Sequence, residues 1–210
     1  MKAAWYFDFV SPYAYLQAEQ LGALAGGIEL ELKPVLFAAL LDHWGQLGPA
    51  EIAPKRTFTY RHVQWLADRA GIAFNAPRAH PFNPLRLLRL AVALDGDLPV
   101  VQHIFRFVWR DGRLPEDDDA FDALAGRLGA TRERIEAPGV KAALRRNGEE
   151  ALAAGVFGVP TFVADGYLMW GLNAGDMLLD YQRDPALFSS AAMRRIASLP
   201  ELAHRRRRGP

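Results

Sequence analysis

In the stretch WYFDFVSPYAYL, Trp5 to Leu16, an apolar run stops at Ser11-Pro12 and resumes at helical spacing. A hydroxyl at such a strand-to-helix junction lies at the positive end of the helix dipole, where it and the first backbone amides can hold an anion. The residue also has a plainer use. Serine ahead of a proline at the first helical position is an ordinary N-cap, stabilising the helix by on the order of 1 kcal/mol. The two roles are compatible. A thiol in this position would be acidified by the same field, yet the 210-residue chain contains no cysteine. Any sulfur chemistry at Ser11 therefore uses a thiol from another molecule, and disulfides and cysteine-ligated metal sites are excluded.

A second candidate lies far along the chain. FGVPTFV carries Pro160 just ahead of an apolar run, where proline marks an edge or turn or, less commonly, a cis peptide. MWGLNAGDML then offers Asn173, whose amide can cap a helix or accept a hydrogen bond from an ammonium group. Between these ends, APKR supplies Lys55 and Arg56, either solvated first-turn residues or partners for a carboxylate. AHPFNP supplies His80, in a loop and able to donate to a phenolate or keto oxygen, and Asn83, which repeats the cap-then-proline pattern. The five histidines show no H-x-x-x-H or H-x-E arrangement, so no metal site is expected. No Walker A loop, G-x-S-x-G or G-x-G-x-x-G occurs, and EDDDAF reads as the acidic first turn of a helix.

The elements that must position these residues follow from periodicity. Ala3 to Val10 reads as a mostly buried strand with Asp8 as its one charge, and a helix runs from Pro12 until Gly26-Gly27. IELELKPVL alternates as a second strand, parallel to the first because a helix joins them. From Phe37 to Gly155 five segments carry apolar residues three or four apart, most closing on glycine, with looser stretches at GQLGPAEIAP and NAPRAHPF. Phe105, Phe107 and Trp109 in this block are expected to be core or pocket wall. VPTFVADGYLMWG holds two short strands around Asp165-Gly166, a dipeptide suited to a two-residue hairpin. A helix follows LNAGDML, and a last one is expected from Pro185 to Ile196.

Half of the residues are hydrophobic, so a packed core is expected. Net charge is +1, but four positive charges lie in Arg205–Arg208, so the remainder is slightly negative and offers no nucleic-acid surface by charge. MKAAWYFDFV is read as a strand and not as a signal peptide, and no window approaches the length of a membrane helix. A cytoplasmic protein is the expectation.

Together the pieces resemble a known family. YFDFVSPYAYL stands where a redox relative carries C-x-x-C, and FGVPTFV holds a proline like that family's cis-proline; with HPFNPLRLLRLA and MWGLNAGDML, they are similar to the 2-hydroxychromene-2-carboxylate isomerases, relatives of the kappa-class glutathione transferases. The resemblance spans nearly the whole chain. It implies an α/β, thioredoxin-like domain (1–36 and 156–200) interrupted by an all-helical insertion domain (37–155), with a basic tail (201–210). It implies glutathione as cofactor: Ser11 as the catalytic residue bonding the thiolate, Val159 beside cis Pro160 pairing with the peptide backbone, and Trp170, Gly171, Leu172 and Asn173 around the remainder. The family commonly places an Asp-Arg pair where this chain has Asn173 and Ala174, so these positions supply no negative charge for the γ-glutamyl amine. Lys55, Arg56, His80 and Asn83 are the substrate-side candidates for a small aromatic carboxylate. The expected reaction is glutathione-dependent cis–trans isomerisation by thiolate addition, bond rotation and elimination. A kappa-like transferase or peroxidase, and a non-catalytic thioredoxin-like binding module, are the other readings; a homodimer is a family expectation.

Overall fold

Alternation of period two builds strand β1 (Lys2–Phe7), with Trp5 and Phe7 on one face and Tyr6 on the other. The structure is a computed structural model that describes residues 1–24, 26–200 and 202; the arginine run of the basic tail lies outside the described residues. β1 leads through α1 (Pro12–Leu24) to β2 (Glu29–Pro34), which pairs parallel to β1 with Lys2 opposite Glu29. Every helix or strand described between β2 and the hairpin is then helical: α2 (Phe37–Trp44), α3 (Ala53–Ala70), α4 (Leu85–Ala93), α5 (Leu98–Trp109), α6 (Asp118–Arg127), α7 (Arg132–Glu136) and α8 (Pro138–Ala153). The hairpin β3 (Thr161–Ala164) and β4 (Tyr167–Trp170) follows, then α9 (Ala174–Arg183) and α10 (Ala191–Ala197). The sheet order is β2-β1-β3-β4, with β3 antiparallel to both neighbours. Asp165 and Gly166 turn the hairpin at φ 49° and 83°, the left-handed conformations such a turn demands.

Two boundaries differ from the sequence expectation. β1 stops at Phe7 instead of reaching Val10, because the Asp8 carboxylate accepts the Val10 amide at 3.1 Å and folds the chain into a turn. The helix expected over Pro185–Ile196 is split into a short 3-10 turn, Leu187–Ser189, and α10, because Ser190 restarts it by capping the Met193 amide at 3.3 Å.

The aromatic face of β1 makes the main core. Trp5 stacks on Phe7 at 4.4 Å between centroids, Phe9 meets Phe105 of α5 at 4.6 Å, and Phe162 of β3 completes the group. Tyr6, on the opposite face, packs with Val35, Leu40, Ala151, Val156 and Val159 beneath α2 and α8. The helical block is tied to the sheet through α1: Arg106 makes two hydrogen bonds to the Glu19 carboxylate at 2.8 and 2.7 Å, and Gln102 donates to the Ala18 carbonyl at 2.8 Å. The Ser11 turn thus leads into a helix anchored to α5.

Candidate functional site

Ser11 occupies the turn between β1 and α1, nearly buried at 7% exposure. Its amide donates to the Asp8 carbonyl at 3.0 Å, and its Oγ accepts the Ala14 amide at 3.2 Å, the N-cap bond expected of a serine before proline. A hydroxyl that accepts one bond still has a proton to donate. Among the described residues nothing accepts that proton. The Asp8 carboxylate holds the turn from inside, accepting the Val10 amide at 3.1 Å and the Phe37 amide at 2.8 Å. Its complete burial outweighs these amides and pushes its pKa up from an ordinary 3.8 to about 7.

The sheet register brings the distant proline to the same end. Tyr6 lies opposite Thr161, so Pro160 comes next to Phe7, where β1 gives way to the Ser11 turn. The Val159–Pro160 peptide is cis, and among the described residues neither the N–H nor the C=O of Val159 has a hydrogen-bond partner. Pro160 instead offers its carbonyl to the Gly171 amide at 2.9 Å, which draws Trp170–Asn173 alongside. Gly158 lets Trp170 pack closely, since a Cβ would lie 2.8 Å from the indole nitrogen and the ring would have to shift. Gln17 joins the two halves: it accepts the Trp5 indole N–H at 2.6 Å and donates to the carbonyls of Gly171 and Leu172 at 2.9 and 3.0 Å.

His80 closes the wall behind the turn. Its Nε2 lies 2.8 Å from the Val10 carbonyl, which can only accept, so Nε2 carries the proton and Nδ1 accepts from the Tyr60 hydroxyl at 2.7 Å. Burial lowers its pKa and keeps it neutral. Both nitrogens are engaged, leaving no ring proton for a substrate; what His80 does is fix the Val10 carbonyl next to Ser11. Tyr60→Phe leaves Nδ1 unpaired in a largely buried position, and is expected to lower unfolding stability by about 1–3 kcal/mol, read from the urea midpoint.

Of the other sequence candidates, Lys55 and Arg56 lie exposed on the first turn of α3, and Arg56 reaches the Ala50 carbonyl at 3.4 Å. Asn83 is exposed, caps the Leu85 amide at 3.1 Å, and donates its own amide to Glu116. None of these three makes a polar contact with the Ser11 turn among the described residues. Asn173 stands at the N-cap position of α9, but its side chain makes no capping bond. Sequence reasoning missed Gln17, Tyr60 and the pairing of Tyr13 with His62 at 2.9 Å. The signal for Tyr60 and His62 was their place on the two flanks of the α3 stripe that carries Thr59 and Val63. Gln17 gave none beyond its position on the inward face of α1.

Comparison with known proteins agrees with this fold. A family described as the DSBA-like thioredoxin domain matches residues 4–182. The chain is 26% identical over 189 residues to a 2-hydroxychromene-2-carboxylate isomerase of Sphingobium xenophagum, covering 86% of this chain and 97% of that one. It is 25% identical over 196 residues to glutathione S-transferase kappa 1 of Rattus norvegicus, covering 82% and 87% respectively. A solved structure of a 2-hydroxychromene-2-carboxylate isomerase superposes with a TM-score of 0.73 at 22% identity, covering 96% of this chain and all of that one, a likeness of fold.

Proposed function

The chain belongs to the family of DSBA-like thioredoxin domains, and on that premise we propose that it is a glutathione-dependent isomerase acting on 2-hydroxychromene-2-carboxylate or a related aromatic carboxylate. The observation that carries this reading is a hydroxyl in place of a thiol: Ser11, oriented by the Ala14 amide and with its proton unspent, in a chain without cysteine. Relatives that bear the isomerase and glutathione-transferase names support it.

The residues present fit glutathione. Ser11 Oγ–H is a donor for a thiolate at the positive end of α1, and the unpartnered N–H and C=O of Val159 can pair with a peptide backbone as an added strand would. Trp170–Asn173 lie alongside, drawn in by the Pro160–Gly171 hydrogen bond. When bound, glutathione supplies a nucleophilic thiolate able to add reversibly to a conjugated carbon–carbon double bond, which then rotates as a single bond. The task of Ser11 is to hold that sulfur ionised, without itself forming a covalent bond. Lys55 and Arg56 offer cations for the substrate carboxylate. Turnover of 2-hydroxychromene-2-carboxylate, followed by absorbance, is expected only when glutathione is added. Conjugation of a generic electrophile with no isomerisation would favour the transferase reading, and no response to glutathione in either assay would remove both.

A further inference from the structure

A cavity of about 540 Å³ runs along the outer edge of β2, between that edge, the α4–α5 connection and α8. Ser11, Val159, Pro160 and Asn173 are not among its walls. β2 is an end strand of the sheet. Its Glu29 amide donates to the Met1 carbonyl at 2.8 Å, and just past its end the Val35 amide donates to the Phe7 carbonyl at 2.9 Å. Peptide groups alternate sides along a strand, so those of Glu29, Glu31 and Lys33 turn toward β1 while those of Leu30, Leu32 and Pro34 turn outward. The Pro34 carbonyl accordingly accepts from Asn147 Nδ2 of α8 at 3.1 Å. Among the described residues, the N–H and C=O of Leu30 and Leu32 have no partner. Two donors and two acceptors in strand geometry thus line one cavity. The side chains add a charge preference. The charged walls are Glu31, Lys33, Asp95 and Asp97, and Lys33 is spent on Glu31 at 2.6 Å and on Glu150 at 2.9 Å. Asp97 caps the Val100 amide at 3.1 Å, and Asp95 sits in the turn after α4 at φ 48°; among the described residues neither carboxylate meets a cation. The charge left over is negative.

We propose that the edge of β2 receives an extended peptide in which apolar residues alternate with basic ones, added to the sheet as a further strand. Strand addition meets all four free backbone groups at once, which a compact ligand does not. Antiparallel pairing is the more stable arrangement, and in it the residues opposite Leu30 and Leu32 exchange both backbone bonds with them and project to the same face of the sheet. Those two residues are apolar, because Leu30 and Leu32 are followed into the cavity by Ile28, Val92, Leu98 and Phe162. Asp95 and Asp97 select cationic side chains at the remaining positions, where the long stem of lysine or arginine reaches a rim carboxylate while its charge stays in water. A second copy of the chain is a poorer occupant. The edge is recessed against α8 and the α4–α5 connection, which admit one narrow strand and not the edge of another sheet.

The test is calorimetric titration of the full chain with three capped pentapeptides: Arg-Val-Arg-Val-Arg, Glu-Val-Glu-Val-Glu, and the arginine peptide N-methylated at both valines, which removes the two N–H groups that face the edge. The arginine peptide is expected to bind, and each of the other two to bind at least about tenfold more weakly. The double variant Asp95→Asn, Asp97→Asn is expected to lose about tenfold in affinity for the arginine peptide and to melt at the parental temperature, because asparagine tolerates the left-handed turn at one position and caps the helix at the other. Hydrogen exchange supplies the residue-level readout: the bound peptide slows the Leu30 and Leu32 amides, which are unpartnered without it. Equal binding of the three peptides, or an arginine peptide that binds without slowing those two amides, overturns the proposal. So does a chain that binds none of them while the same amides become protected as it self-associates, which would assign the edge to a second copy.

Discussion

Ser11→Ala is expected to reduce kcat/KM for the glutathione-dependent isomerisation by about 100- to 1000-fold, the usual effect of deleting one preorganised donor to a reacting anion. The stability cost is far smaller, about 1 kcal/mol for the lost cap on Ala14. This separation of effects distinguishes a catalytic hydroxyl from a purely structural one. A purely structural Ser11 would give a variant that unfolds somewhat earlier but turns over at the parental rate. The thiolate absorbance of bound glutathione, titrated against pH, supplies a second readout: the apparent thiol pKa rises in the variant, because the alanine offers no hydrogen bond to the charged form. Parental turnover together with an unmoved thiol titration would remove Ser11 from the mechanism.

The second large effect concerns Asp8. Below pH 4 its carboxyl is protonated whether the chain is folded or not, and above about pH 7 it is ionised in both states. Between those limits the folded protein holds a proton that the unfolded chain releases, so stability falls as pH rises. A shift from 3.8 to about 7 amounts to roughly 4 kcal/mol lost across that window from this group alone. The three amides of Phe37, Val10 and Phe9 act in the opposite direction, but burial is the larger effect. Asp8→Asn is expected to be less stable at every pH, since an amide nitrogen must then face one of two backbone N–H groups. Its decisive property is a flatter profile. Urea midpoints measured from pH 4 to 8 should converge between parent and variant as pH rises; parallel curves would show that Asp8 is not the titrating group.

Much of this architecture was legible from local pattern. Alternation in Ala3–Phe7 and in IELELKP, the Asp165-Gly166 turn, and three-four spacing from Phe37 to Gly155 gave the order of elements. Ser11 and Pro160 were legible as a pair only through the resemblance, since no local property of either predicts the other. What escaped was long-range satisfaction of polar groups. Asp8 stood out as the one charge of an apolar strand, but the Phe37 amide that it accepts is 29 residues on. His80 read as a loop histidine able to donate outward, and only the fold shows that Val10 and Tyr60 occupy both its nitrogens.

The bonds from Gln17 span 154 and 155 residues, and they close a long loop with one amide. The helices from α2 to α8 all lie within that loop. Loop-closure entropy grows only slowly with length, each doubling costing about 0.6 kcal/mol. Residues can thus be inserted into or trimmed from the surface connections of that segment while the clasp at Gly171 and Leu172 stays shut. The seam and the stretch it encloses are thus mechanically separate: one is fixed by hydrogen bonding, the other tolerant in length.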